Sequence, residues 1–216
     1  MLHQHRITIY WLLGLGLAGY VLPWIVAPTA PLTLNAFDLA EWTSLHPTQF
    51  GTPLLVPLLL RLQLLIITVL VALLANKSLM ELLAAVIILS LSVAQLPPLE
   101  FLTISRHDSN YQQQFLLAAI SLIAGLTLLR WAPSRRLALA TGCLAAIGLL
   151  ASLVGQSQAQ LLYQMSLQEG VPGVGLGVLA VAYFGMIALA LSTARLREKF
   201  MKLIEWLASW VNSETP

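Results

Sequence analysis

Six apolar stretches, each near the length of a bilayer-crossing helix, take up most of this chain. They are Ile7–Ala27, Leu54–Ala75, Leu79–Leu96, Phe115–Trp131, Leu137–Gly155 and Val174–Ala194. About 20 apolar residues cross the hydrocarbon region as a helix, with roughly 17 to 25 tolerated. The third and fourth stretches are short by that measure and can recruit flanking turns. In lipid every backbone N–H and C=O must pair within the protein, so only helices or closed barrels span a bilayer. No alternating strand pattern appears, which leaves helices. Charged residues make up 9% of the 216, against about a quarter in soluble domains. The expected fold is therefore an all-α integral membrane protein: a six-span bundle over residues 1–194 and a tail over 195–216.

The first stretch has some features of a secretory signal, with Arg6 before the apolar run and Ala27-Pro28-Thr29-Ala30 after it. It is long enough to span, however, and ends in Pro23-Trp24 rather than at a clean small-x-small site, so it reads as a retained span. Lys and Arg in short loops set orientation. One side holds Arg6, Lys77, Arg130, Arg135, Arg136, Arg195, Arg197, Lys199 and Lys202, and the other only Arg106. This predicts both termini in the cytoplasm of a bacterial inner membrane, with Pro31–Pro47 on the outer side.

That outer segment, PLTLNAFDLAEWTSLHP, carries Asp38, Glu41, Trp42 and His46 between two prolines. Asn35 is placed to cap a short helix, with Asp38 favouring its N-terminal dipole. The ordinary reading is an interfacial helix anchored by Trp42. The alternative makes Asp38, Glu41 and His46 a proton-exchanging or docking site. Arg61 is the ionisable residue well inside a span, and such a residue calls for a named partner. Either it snorkels to the outer headgroups or it pairs with Glu100, Asp38 or Glu41. Glu100, His107 and Asp108 complete the polar cluster predicted on the outer side, and Ser109–Gln112 matches a capping box for the fourth helix.

Small residues recur where helices need to approach closely. Gly14, Gly16 and Gly19 fit a G-x-G-x-x-G spacing, but inside an apolar span and without a βαβ unit this is a packing pattern, not a dinucleotide site. Gly173 and Gly177 open the sixth span in the same way, and Gly142, Ala146 and Gly148 serve the fifth. Ser90, Ser92 and Gln95 of the third span can hydrogen-bond to neighbouring helices. Gln156, Gln160, Gln164 and Gln168 repeat at i+4, which extends the fifth helix outward with a solvated glutamine face. The lone Cys143 reads as a buried, inert thiol. In the tail, Phe200, Leu203, Leu207 and Trp210 form an apolar stripe opposite charged residues, the pattern of a helix lying on the membrane surface.

The histidines are His3, His5, His46 and His107, all outside the spans. A transmembrane haem needs axial ligands from its helices, so no cofactor is expected on this chain alone, although lipid or quinone contact is open to it. No P-loop, zincin motif or nucleophile elbow appears, and no charge block points to nucleic acid. The expected role is a non-catalytic accessory subunit packing against other integral membrane subunits and lipid. A small transporter or channel is the second reading, and an outer-face enzyme handling lipid or quinone through Asp38, Glu41 and His46 is the third.

Leu22-Pro23-Trp24 together with Pro31–Pro47 resembles multi-span accessory subunits of bacterial quinol-oxidising and photosynthetic membrane complexes, of the alternative complex III type. The likeness covers under a fifth of the chain and carries over no site residue. It implies that haems, iron–sulfur clusters and quinol chemistry belong to partner subunits.

Overall fold

The computed structural model describes residues 6–27, 32–45, 54–75, 78–131, 137–167 and 170–192. His3, His5, His46 and the tail residues Phe200, Leu203, Leu207 and Trp210 lie outside the described residues. Seven helices form among those described: α1 (Arg6–Val21), α2 (Ala36–Ser44), α3 (Leu55–Leu74), α4 (Ser78–Ala94), α5 (Ser109–Trp131), α6 (Leu137–Leu167) and α7 (Gly175–Leu191). Three of them, α3, α5 and α6, are long and apolar enough to cross a membrane. The apolar helices α1, α4 and α7 are shorter, at 16, 17 and 17 residues, or about 24–26 Å at 1.5 Å per residue.

The first helix stops at Val21, not at Ala27 as its hydropathy suggests. The Pro23 ring cannot continue a helix and pushes Leu22 out of the helical region. Beyond it the β-branched pair Ile25-Val26 takes up extended structure. Strands β1 (Ile25–Ala27), β2 (Leu32–Leu34) and β3 (Val171–Pro172) form an antiparallel sheet in the order β2-β1-β3, with Ile25 opposite Leu34 on one side and Pro172 on the other. The fold is helical as expected, and these strands of two or three residues join the segments between helices. Its backbone bonds continue past the strand ends, from Trp24 N to the Leu34 carbonyl (2.8 Å), Gly173 N to Trp24 O (2.7 Å) and Gly175 N to Pro23 O (2.8 Å). At Gly173 the two backbones run so close that a Cβ would overlap the Pro23 carbonyl.

Helix α3 is the centre of the bundle, with neighbours α1, α2, α4, α5 and α6, while α7 lies between α1 and α6. A Cβ at Gly16 meets Ala182 and Leu179 of α7 at 3.6 and 3.7 Å, and Gly19 sits against the α7 backbone itself. Gly148 lies under the Tyr183 ring and Gly142 against Ala190. Gly14 and Gly177, expected among the packing positions, instead face open space, with nothing within 4 Å of a Cβ. Cys143 is exposed on α6, not buried.

Helix α6 has 31 residues, about 46 Å, and so exceeds a hydrocarbon thickness of about 30 Å. It runs past the span end at Gly155, as the glutamine repeat predicts. The glutamine stripe on the added turns divides. Gln156 is buried and donates from Nε2 to the Trp24 carbonyl at 3.1 Å, Gln160 is half-buried, and Gln164 is exposed. The extra turns thus form a wall for the sheet and α2 before they reach solvent. Helix α5 begins six residues earlier than Phe115. Asp108 caps it by accepting from Asn110 N (2.8 Å), in place of the Ser109–Gln112 box, and the Gln112 side chain donates to the Arg106 carbonyl instead.

Candidate functional site

The site grows from the seating of α2. Asn35 caps the helix through Oδ1, which accepts from Phe37 N and Asp38 N at 2.9 and 3.0 Å. Ala36, Leu39, Ala40 and Thr43 are buried, which is the i, i+3, i+4, i+7 spacing of one helix face. That face lies on α3. Trp42 packs its ring on Tyr163 of α6 at 5.3 Å between centroids. Helix α2 is therefore an integral part of the fold, and Trp42 ties it to α6.

Seated this way, α2 holds Glu41 over Arg61, less than two turns into α3. The guanidinium Nη2 lies 2.7 Å from Glu41 Oε1, and the Arg61 side chain is 2% exposed against 34% for Glu41. Arg61 Nη1 donates to Gln113 Oε1 at 3.1 Å, and Gln113 Nε2 in turn donates to the Leu54 carbonyl at 2.9 Å. Gln114 Nε2 donates to Glu41 Oε1, and Asn110 Nδ2 to Glu41 Oε2 at 3.3 Å. Asn110, Gln113 and Gln114 stand at i, i+3 and i+4 and so share one face of α5. One carboxylate thus accepts from α3 and α5, while the guanidinium of α3 reaches α2 and α5. Three buried polar atoms beside this network are unpartnered: Arg61 Nε, Asn110 Oδ1 and the Tyr20 hydroxyl.

Of the seven polar residues singled out from sequence, the structure joins Glu41 and Arg61. Snorkelling is ruled out by the burial of Arg61, and of its three candidate partners Glu41 takes the role. Asp38 is exposed in the first turn of α2, and Glu100 is exposed in the 3-10 turn Leu99–Leu102. His107 is exposed and accepts from Arg106 Nε at 3.1 Å. Asp108 serves as the α5 cap. Among the described residues no group of three or more His, Cys, Asp or Glu side chains converges as a metal site would require.

Asn110, Gln113, Gln114 and Tyr20 were missed. The polar run Asn110–Gln114 sat just before the fourth apolar stretch, and its i, i+3, i+4 spacing was the available signal. Glu41 accepts from Arg61, Gln114 and Asn110, so the cluster joins α2, α3 and α5, with the partly exposed carboxylate still reaching solvent.

Further polar contacts join other helices pairwise. Tyr183 Oη donates to Gln63 Oε1 at 2.8 Å between α7 and α3, and Gln95, in the turn just after α4, donates from Nε2 to Ser121 Oγ of α5 at 3.1 Å. Ser92 is buried with no partner, and Ser90 is exposed. Comparison with models of protein families, with curated proteins and with solved structures finds no match.

Proposed function

We propose that this chain is a non-catalytic accessory subunit of a larger bacterial membrane complex. In this reading six helices cross the inner membrane with both termini cytoplasmic, and the tail from Arg195 lies on the cytoplasmic surface. The short helices α1, α4 and α7 cross together with the loops and turns that flank them. An electron-transport assembly, quinol-oxidising or photosynthetic, is the setting we favour, with redox groups carried by partner subunits.

The observation that carries the reading is how the polar side chains of the apolar helices are used. Arg61, Gln63, Gln95 and Gln156 each bond to another element of the same chain, while the outward faces are apolar. Leu82, Val86, Leu89 and Val93 on α4 and Leu116, Ile120 and Ile123 on α5 are exposed. Lipid tails are as apolar as leucine, so helices associate in a bilayer through close packing and hydrogen bonds. A chain that keeps its polar groups for internal ties and offers smooth apolar faces with an open glycine, Gly177, suits lateral packing against a partner.

The test is purification of the tagged full chain from its native membrane in mild detergent, followed by native mass spectrometry. A stoichiometric partner is expected, and Gly177→Leu should weaken its retention while leaving unfolding of the purified chain unchanged. Thiol labelling of Ile104→Cys and Ser213→Cys in a Cys143→Ser background should report opposite sides of the membrane. A monodisperse chain that carries substrate flux in liposomes, or that holds a stoichiometric chromophore, would overturn the proposal.

A further inference from the structure

A groove of about 300 Å³ opens between α1 and α4, with α3 as its floor. Ile67 and Val71 form the floor, Leu13 and Leu17 one wall, and Ala84 and Ile87 the other. Tyr10 and Met80 stand at one end. The Tyr10 hydroxyl is fixed to the Leu74 carbonyl at 3.0 Å, which holds the ring as part of the wall. Gly14 lines the groove with nothing within 4 Å of a Cβ, so any side chain there would project into it.

The shape of the groove limits what can fill it. From Tyr10 to Leu17 it runs about 10 Å along α1, and from Met80 to Leu91 about 16 Å along α4, at 1.5 Å per residue. Over that length about 300 Å³ makes a narrow slot, too small to enclose a helix of about 10–12 Å diameter. A partner helix would bridge its mouth without filling it. Water finds no set of polar partners along such an apolar lining. The length is close to one leaflet of hydrocarbon, about half of a 30 Å core. The groove also opens sideways onto the apolar outer wall of α4, where Leu83 and Ile87 are exposed.

We propose that this groove holds a single acyl chain of a phospholipid, drawn from the leaflet at the Tyr10 end. The proposal rests on the membrane-embedded reading above, under which the groove is continuous with the lipid-facing surface. An empty slot there would forfeit the dispersion contacts that a flexible alkyl chain supplies.

The experiment uses the full chain in proteoliposomes containing phosphatidylglycerol with a diazirine in one acyl chain. After illumination, adducts are mapped by mass spectrometry. They should concentrate on groove residues of α1 and α4, be lost in Gly14→Leu, and persist in Ile123→Phe, a change on the exposed face of α5. Adducts spread evenly over every outward-facing helix of the wild-type chain would overturn the proposal whether or not Gly14→Leu folds. So would groove adducts that survive Gly14→Leu, or that yield to an isoprenoid quinone but not to unlabelled phospholipid. Alkaline extraction before illumination separates the two levels: release of the chain from the vesicles would refute the membrane reading and this proposal with it, whereas retention with uniform adducts refutes this proposal alone.

Discussion

Glu41→Ala removes the charge partner of a guanidinium that is 2% exposed. Arg61 then keeps only its bond to Gln113. Removing one member of a buried pair costs about 3–5 kcal/mol, because the remaining charge is left uncompensated. Glu41 is itself 34% exposed, so water can enter where its carboxylate was, and the cost falls at the lower end, about 3 kcal/mol. Arg61→Leu is expected to be milder, at about 1–2 kcal/mol. Glu41 would still accept from Gln114 and Asn110 and would still reach water. The double variant Arg61→Leu/Glu41→Ala leaves no buried charge, so its cost should fall short of the sum of the single costs by roughly 2–3 kcal/mol, the signature of direct coupling. Arg61→Lys keeps the charge but cannot hold Glu41 and Gln113 at once through a planar fork, and should lie between wild type and Arg61→Leu.

The assay is reversible unfolding in mild detergent, followed by the fluorescence of the six tryptophans. For a chain of this size 1 kcal/mol moves Tm by about 2–4 °C, so Glu41→Ala should lower it by roughly 6–12 °C. Strict additivity in the double variant, or a Glu41→Ala no worse than Arg61→Leu, would refute the claim that Arg61 is buried and depends on this carboxylate. A lysine variant as stable as wild type would refute the two-point geometry.

The same measurement checks two further expectations. Gly19→Ala places a Cβ 2.5 Å from Leu179 N and 2.9 Å from its Cα, both backbone atoms that cannot step aside, so it should cost about 1–3 kcal/mol as α1 and α7 part, whereas Gly177→Ala, which meets nothing within 4 Å, should stay within about 0.5 kcal/mol of wild type. Tyr183→Phe leaves the buried Gln63 Oε1 without its donor, at about 1–3 kcal/mol, and adding Gln63→Leu should recover part of that loss.

Apolar length located every long helix, because a run of some twenty apolar residues leaves the backbone few alternatives. It failed at helix ends, where single residues decide. Hydropathy runs unbroken through Leu22–Ala27, but Pro23 ends the helix, and Trp24 finds its backbone partners in Leu34 and Gly173, which are distant in sequence. The i+4 glutamines correctly implied a longer α6. Which of them turns inward depends on the Trp24 carbonyl, a tertiary fact. The pairing of Arg61 was open for a similar reason, since Asp38, Glu41 and Glu100 all precede or follow spans on the outer side. Burial of Leu39 and Ala40 fixes the rotation of α2 and so selects Glu41. Gln113 and Gln114 were legible in principle, since the Ser109–Gln112 capping box already put them in the first turns of the fourth helix, but which helix their shared face meets is a tertiary fact.

The distribution of these contacts follows from the cost of charge in a low-dielectric bundle. Along the bundle, adhesion rests on neutral devices: glycines that bring α1 and α6 onto α7, and single amide or hydroxyl bonds from α3 to α7 and from the residue after α4 to α5. A full ion pair deep in the bundle would carry a desolvation penalty that its own attraction need not offset. The Arg61–Glu41 pair stands instead where α2 meets the ends of α3 and α5, with the carboxylate partly in water and the guanidinium shielded beneath it. There the penalty is shared with solvent, while the directional demands of the guanidinium fork still fix how α2 and α5 sit on α3. The cluster is better suited to setting how α2 and α5 sit on the end of α3 than to holding the bundle together, because its geometry is directional while its net electrostatic gain is small.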